Sequence, residues 1–155
     1  MKTPIKAPMK TPMKTTMKTP VHVWIVGSVT LLWNAIGAAN YLMTQTADPA
    51  MQDAMTPDQW AFVKGLPLWV ISAWAIAVWA AVAGSLLLLA RRRIAAGLFG
   101  LAFIALILTL AYEYGAADAL AVMGQKAMAF SGILLVIAAA EWEYARRMVR
   151  AGVLR

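Results

Sequence analysis

The sequence contains no cysteine, a single histidine (His22) and only 14% charged residues. Without cysteine, disulfides, thiolate metal sites and thiol catalysis are excluded. One histidine cannot supply the two axial ligands of a haem, or a histidine-rich metal site, from one chain. The chain also has no phosphate-binding loop, nucleophile elbow or metal-ligand spacing. The sequence therefore predicts no cofactor, no metal and no enzymatic activity.

Apolar residues are abundant instead. They make up 62% of the chain, and the mean hydropathy is +0.68. In a soluble domain about half of the residues are apolar and about a quarter are charged. The apolar residues form four blocks, at about 21–43, 66–90, 94–112 and 126–145. Because a span needs ~20 apolar residues, we expect an all-α, polytopic membrane protein with a four-transmembrane-helix bundle over residues 21–149.

The fourth block is the least regular of the four. Its strictly apolar part is short, and interfacial residues extend it toward the C-terminus. A start nearer Ala116, with a kink at Gly124, is the alternative to a start at about residue 126.

The basic residues predict the orientation. Twelve of the 14 lie on one side of the four predicted spans, namely five lysines in residues 1–20, Arg91, Arg92 and Arg93 after the second span, and Arg146, Arg147, Arg150 and Arg155 at the C-terminus. Because cytoplasmic loops carry the excess of basic residues, both termini are expected in the cytoplasm. The basic residues thus indicate a multi-pass membrane protein, with the lipid bilayer and no nucleic acid as partner.

Residues 1–20 form a four-residue repeat of Lys, Thr, Pro and Met, with prolines that block a regular helix. The segment has too little apolar surface to fold alone, so we expect a disordered basic tail. One interpretation is attraction to anionic lipid headgroups, worth ~1 kcal/mol per lysine near the surface. The other is repeat slippage or a later start at Met9, Met13 or Met17. Residues 150–155 are a short basic C-terminal end.

The predicted outer loop, residues 44–65, contains one helix signal. Thr56 is suited to an N-cap, Pro57 to the first helical position, and Gln59 to the third position of a capping box. The aromatic residues Trp60 and Phe62 follow. We therefore predict a short amphipathic helix over residues 57–64 that rests at the outer membrane interface.

Small and polar residues share one face of the first span. Gly27, Thr30, Asn34, Gly37 and Tyr41 recur at offsets of three or four. One interpretation is helix packing with hydrogen bonds across the contact, worth ~0.6–2 kcal/mol for each polar pair. The alternative is a solute or lipid-headgroup site between the helices. Asn34 is the strongest candidate, because an unpaired amide near the middle of a bilayer costs several kcal/mol.

The second span carries a similar seam of small residues. Ala73, Ala77, Ala81 and Ser85 are spaced by four, and Gly100 continues the pattern in the third span. Small residues at this spacing let membrane helices approach closely. We predict helix packing at these positions.

The acidic residues suggest a structural role. Glu141 stands at the end of the fourth block and has no basic residue three or four positions away. We therefore expect it to form ion pairs with Arg91, Arg92 and Arg93 across the inner face, and we expect no carboxylate deep inside a span.

Short motifs spread over residues 23–155 form a distinctive set: Leu32-Trp33-Asn34 with Gly37, Tyr41-Leu42-Met43-Thr44-Gln45, Thr56-Pro57-Asp58-Gln59, Leu66-Pro67-Leu68-Trp69-Val70, Ala73-Trp74-Ala75-Ile76-Ala77-Val78-Trp79, Gly84-Ser85-Leu86-Leu87-Leu88-Leu89 and Arg91-Arg92-Arg93. In these motifs the chain resembles a family of small four-helix bacterial inner-membrane proteins, often labelled "sugar transporter" or DoxX-like. The family often has Asp before the tyrosine, where this chain has Asn40. The resemblance implies the four-span fold and a location in the bacterial inner membrane, and Asn40 removes the one carboxylate that could couple a solute to protons. The candidate ligand-binding residues are Thr30, Asn34, Asn40 and Tyr41.

These observations leave two main functional hypotheses. The first is a structural or accessory membrane protein, or a bundle that binds lipid, with a larger membrane protein as a potential partner. The second is a small-solute, sugar-like transporter or channel that works as a homo-oligomer. An enzyme acting on quinone or lipid is the least supported, because no redox-ligand set is present.

Overall fold

The computed structural model describes residues 20–155, so the predicted basic tail lies outside the described residues apart from Pro20. Within this part the chain forms six helices and no strand: α1 (Val21–Gln45), α2 (Pro49–Asp53), α3 (Pro57–Lys64), α4 (Leu68–Leu89), α5 (Ile94–Gly115) and α6 (Ala119–Arg150). The long helices α1, α4, α5 and α6 are each long and apolar enough to cross a membrane. The prediction of an all-α, four-span bundle is thus confirmed.

The short helices on the loop between α1 and α4 begin at local side-chain caps. The Thr56 hydroxyl accepts a hydrogen bond from the Gln59 backbone N–H, and the Gln59 side chain accepts one from the Thr56 N–H. This reciprocal pair fixes the start of α3 at Pro57, where the sequence predicts it. Helix α2 was not predicted; the Asp48 carboxylate caps it by accepting from the Ala50 N–H at 3.0 Å.

The four long helices pack in chain order. Helix α1 packs on α4, α4 on α5, and α5 on α6, while α3 contacts α6. Helices α1 and α6 share no comparable packing, so they form the two edges of a curved row of helices. The space between those edges is the feature that positions the candidate site.

One end of the bundle, which we call the basic end, holds residues 90–93 and 146–155. The backbone N–H of Arg93 donates to the Arg155 carbonyl at 3.0 Å, and the Arg155 N–H donates to the Arg91 carbonyl at 2.8 Å. The start of α1 lies at the same end, because the His22 ring nitrogen Nδ1 is 2.7 Å from the Tyr144 hydroxyl. The opposite end, the acidic end, holds residues 46–67 and 116–118.

The half of the bundle near the basic end is closely packed. A Cβ added to Gly27 would lie 2.6 Å from the Leu89 side chain, and one added to Gly100 would lie 2.9 Å from the Trp142 indole nitrogen. The indole of Trp142 also faces the ring of Phe103, at 5.6 Å between centroids. Glycine is needed at these positions because a bulky neighbour occupies the space of a side chain.

Helix α6 is interrupted near the acidic end. Gly124 has φ 80° and ψ 172°, which are not helical angles, and such a φ favours glycine. The helix begins at Ala119, earlier than the predicted 126, and the interruption falls at the residue that the sequence suggests for a kink. In the apolar window of α6 none of the residues is buried, against 39% in that of α4. The fourth span therefore buries the smallest share of its apolar window.

Candidate binding site between the helices

A polar cluster joins three of the long helices. Asn34 stands in the middle of α1, Ser85 lies four residues before the end of α4, and Glu141 lies nine residues before the end of α6. The Asn34 amide nitrogen Nδ2 is 3.0 Å from Ser85 Oγ, and it lies 3.1 and 3.3 Å from the two carboxylate oxygens of Glu141. These contacts bridge the two edge helices, α1 and α6, near the basic end.

The hydrogen bonds of this cluster use up the donors of Asn34. An amide nitrogen carries two hydrogens; one points to Ser85, and the other is shared by both carboxylate oxygens of Glu141. The Ser85 hydroxyl donates to the Ala81 carbonyl of its own helix at 2.9 Å. Two carboxylate oxygens have about four acceptor positions, so Glu141 retains acceptor capacity.

Glu141 is buried deeper than its sequence position suggests. The residue is 7% exposed and contacts the middle of α1, whereas the sequence places it at the end of a span. At 1.5 Å per residue, Ser85 lies about 6 Å inside the end of α4, and Glu141 reaches the same level. The expectation that no carboxylate lies inside the bundle is wrong, because α6 continues as a helix to Arg150 and carries the residue inward.

A cavity of about 340 Å³ extends from the polar cluster between all four long helices. Its walls are mostly apolar and include four aromatic rings. The lining residues are Trp33, Asn34, Ile36, Gly37 and Asn40 of α1, Trp74, Ala77, Val78 and Ala81 of α4, Phe99, Ala102 and Leu106 of α5, and Phe130, Leu134, Ile137, Ala138 and Glu141 of α6. Pockets of this kind, apolar with a few converging polar groups, are typical of small-molecule sites.

The cavity is partly open between α1 and α6. Ile36 of α1 and Phe130 of α6 both line it, and they are 60% and 53% exposed. These exposed apolar side chains stand on the two helices that do not pack on each other. The opening thus faces sideways from the bundle, at the level of the membrane-spanning segments.

The structure separates the four predicted ligand-binding residues. Asn34 and Asn40 lie on the cavity wall. Tyr41 does not; its ring stands edge-to-face on Trp74, which lines the cavity, with 5.1 Å between centroids. The Thr30 hydroxyl donates to the Gly27 carbonyl at 3.1 Å, within its own helix, and Thr30 does not line the cavity.

Most of the residues predicted to pack between helices are covered by neighbouring side chains, but one is not. Ala73, Ala77, Ala81 and Ser85 are buried along one face of α4, and Gly27 and Gly100 are covered by Leu89 and Trp142. Gly37 is different. In the part of the chain that the structure describes, no atom lies within 4 Å of a Cβ added there, because Gly37 borders the cavity rather than a neighbouring helix. The prediction of close packing at Gly37 is therefore wrong.

The charged side chains of the basic end pair around Glu143. Its carboxylate lies 2.9 Å from Arg147 Nε, 3.6 Å from Arg146 and 3.8 Å from Arg150. Glu141 lies two residues earlier in α6, on another face of the helix, and its carboxylate accepts from the Asn34 amide. The ion pairs predicted between Glu141 and Arg91, Arg92 and Arg93 stay a prediction.

The aromatic walls of the cavity were not identified from the sequence. Trp33, Trp74, Phe99 and Phe130 come from four different helices. In a single sequence each of these four aromatic residues looks like an ordinary apolar residue of a span. Local spacing does not distinguish a residue that lines a cavity from one that faces lipid. Only the relative placement of α1 and α6 brings these rings to one space.

Among residues 20–155, no group of three or more histidine, aspartate or glutamate side chains is placed to hold a metal ion. The site is thus built from one carboxylate, two amides, one hydroxyl and aromatic or aliphatic walls. No protein family, no curated protein and no solved structure matches this chain.

Proposed function

We propose that this multi-pass membrane protein binds a small, mostly apolar molecule that enters the cavity sideways from the bilayer. The observation that carries the proposal is the cavity itself, which has a polar cluster at one end and an exposed apolar rim between α1 and α6. The protein acts as a binding bundle of the lipid-binding or accessory class and performs no chemistry of its own.

The size and lining of the cavity support this proposal. A volume of about 340 Å³ lies in the range of small-molecule sites. It also exceeds the cavity of about 150 Å³ that is large enough for benzene in an engineered protein. Because the rim is apolar and lies between membrane-spanning helices, a molecule dissolved in the lipid reaches the cavity without crossing water.

The polar cluster gives the site its orientation. A carboxylate, an amide and a hydroxyl inside a bilayer are costly unless they are hydrogen-bonded. The Asn34 amide donates hydrogen bonds to Ser85 and Glu141, which meets part of this requirement, and Glu141 can still accept further hydrogen bonds. A ligand whose polar group faces this cluster gains hydrogen bonds there, and its apolar part fills the rest of the cavity.

A small-solute transporter is the second candidate, and the interruption at Gly124 favours it. Transporters often place their binding sites beside discontinuous helices, and α6 both breaks at Gly124 and contributes Glu141 to the cavity. Transport predicts uptake of a solute into proteoliposomes above the level of empty liposomes, and Glu141→Gln should abolish it. Uptake equal to that of empty liposomes over a panel of sugars and polyols would rule this candidate out.

The proposal also includes the membrane in which the bundle lies, its orientation and its neighbours. The clustered arginines of the basic end support a cytoplasmic position for that end. The resemblance to small bacterial inner-membrane proteins supports an inner-membrane location. The short motifs shared with the DoxX-like family support membership of that group. The apolar surface of α6 is suited to lipid, to a second copy or to a larger membrane protein.

The direct test is native mass spectrometry of the protein extracted gently from its own membranes. Gly37→Leu adds a side chain at a residue that lines the cavity, and among residues 20–155 no atom lies within 4 Å of a Cβ at that position. Gly97→Leu is the matched control: it is also an open helical glycine, but it lies outside the cavity lining.

The proposal predicts that the wild type and Gly37→Leu differ in the small molecule or lipid that they retain. The wild type and Gly97→Leu should retain a bound small molecule or lipid after mild activation, whereas Gly37→Leu should lose it. If all three proteins carry the same adducts, or none carries any, the proposed binding function is wrong.

A further inference from the structure

We infer that the ligand of this cavity is an amphiphilic amine, whose protonated nitrogen is held by Glu141 and whose apolar body lies along the aromatic walls. This inference rests on the proposed binding function and specifies the chemical class of the ligand. It comes from the balance of hydrogen-bond donors and acceptors in the polar cluster.

Acceptors outnumber donors at the polar end of the cavity. Both hydrogens of the Asn34 amide are directed to Ser85 and Glu141, and the Ser85 hydrogen is directed to the Ala81 carbonyl. The oxygens that retain acceptor capacity there are the two of Glu141 and the side-chain oxygen of Asn34. A ligand group that only accepts hydrogen bonds would find no donor free in this cluster, whereas an ammonium group brings up to three.

The charge of a Glu141 carboxylate also favours a cationic ligand. A carboxylate in a span is stabilised when a cation lies beside it, because the pair exposes less net charge to hydrocarbon. An alcohol also donates a hydrogen bond to the carboxylate, but only an ammonium group adds a charge that offsets that of Glu141. A cationic ligand thus gains more from this cluster than a neutral alcohol of the same shape.

The walls suit the remainder of such a molecule. Trp33 adjoins Asn34 in α1, and Phe99 packs at the level of Gly84, so aromatic rings lie close to the polar end. Aromatic faces attract cations as well as apolar groups. Toward the acidic end, Trp74, Leu106 and Phe130 supply an apolar lining. The cavity is therefore polar at one end and apolar along its length, like the ligand we infer.

Three compounds of one shape test this inference on the purified full-length protein in neutral detergent. They are 1-adamantylamine, 1-adamantanol and 1-methyladamantane, which share a compact apolar body and differ in the single group that would face Glu141. Binding is measured as the ligand-dependent rise in melting temperature, followed by tryptophan fluorescence. The same series is run on Glu141→Gln, which keeps the shape of the side chain and removes its charge.

We expect the wild type to bind the amine at least about 10-fold more tightly than the alcohol, because only the amine brings a charge opposite to that of Glu141. In Glu141→Gln the amine should bind no more tightly than the alcohol, because the side chain at this position no longer carries a charge. Equal binding of the amine and the alcohol by the wild type would overturn the inference, and so would an amine preference that survives Glu141→Gln.

The Gly37→Leu variant distinguishes a failure of the amine inference from a failure of the proposed binding function. If Gly37→Leu abolishes binding of all three compounds but the wild type shows no preference for the amine, the cavity binds ligands and only the amine class is wrong. If the wild type binds none of the three, the amine inference fails, and the mass-spectrometric comparison of wild type, Gly37→Leu and Gly97→Leu decides whether the cavity binds anything at all.

Discussion

The two halves of the bundle hold their helices in different ways. Near the basic end, each glycine that faces another helix meets a bulky side chain: Gly27 meets Leu89, Gly84 meets Phe99, and Gly100 meets Trp142. Toward the acidic end, Gly37 and Gly132 have no atom within 4 Å of an added Cβ. Small residues therefore create close packing only where a partner helix supplies the matching bulk.

This difference explains where the cavity lies. Helices α1 and α6 are brought together near the basic end by the Asn34–Glu141 and His22–Tyr144 contacts. Farther from that end they separate, and α6 is interrupted at Gly124. The space between them is left to a ligand or to lipid. The polar cluster is the boundary between the packed half and the open half.

The largest loss of stability is expected from removing the Asn34 amide, which links α1 to α6. Asn34→Leu leaves the Glu141 carboxylate and the Ser85 hydroxyl without their shared partner, so we expect a loss of about 3 kcal/mol in the free energy of unfolding. Asn40→Leu is the matched control, because Asn40 is the other asparagine on the cavity wall. It should cost less than about 1 kcal/mol.

Unfolding in mixed micelles with increasing denaturing detergent measures both variants. A double substitution, Asn34→Leu with Glu141→Leu, should be less destabilising than the two single changes added together, because the residues act as a pair. Strict additivity would mean that the contact between α1 and α6 is not formed in the folded protein.

A smaller loss is expected from disturbing the packed half. In Gly100→Leu the new side chain meets the Trp142 indole at 2.9 Å, and overpacking of this kind costs about 1–3 kcal/mol. Gly97→Leu, one turn earlier in α5, meets nothing within 4 Å and should be neutral or slightly stabilising, since leucine favours a helix over glycine. Equal melting temperatures for the two variants would contradict the close approach of α5 and α6.

The smallest loss of stability is expected from a substitution in the half of the bundle near the acidic end. There the Tyr114 hydroxyl lies 3.1 Å from Ser131 Oγ and links α5 to α6. Hydrogen bonds between membrane helices contribute about 0.6 kcal/mol on average. Tyr114→Phe should therefore lower the free energy of unfolding by no more than about 1 kcal/mol, measured by the same detergent titration. A loss as large as that of Asn34→Leu would show that the acidic half is held as firmly as the basic half.

The fold could be predicted from the sequence because its signals are local. The four apolar blocks are long enough to span a membrane, and Thr56, Pro57 and Gln59 determine the start of α3 through bonds made within four residues. The seam of small residues in α4 likewise follows from a spacing of four. Each of these features depends on one segment and needs no knowledge of its neighbours.

The site could be predicted only in part, because it depends on distances between segments. Asn34 stood out as an amide in the middle of an apolar helix, and it does lie in the cluster. Glu141 was assigned to the end of a span, and its contact with a residue 107 positions earlier has no local signature. Gly37 and Gly27 look alike in the sequence, yet one borders a cavity and the other contacts Leu89.

The contact between Asn34 and Glu141 tests the central claim most directly, and it can be measured in lipid bilayers by solid-state nuclear magnetic resonance. The chain has only two asparagines and three glutamates, so labelling asparagine side-chain nitrogen and glutamate carboxyl carbon gives few signals. With 3.1 and 3.3 Å from Asn34 Nδ2 to the Glu141 oxygens, one strong nitrogen–carbon coupling is predicted, and Glu141→Gln should remove its carboxylate signal. Absence of any such coupling in the folded protein would contradict the account of α1 and α6 as edges joined at one polar cluster beside an open cavity.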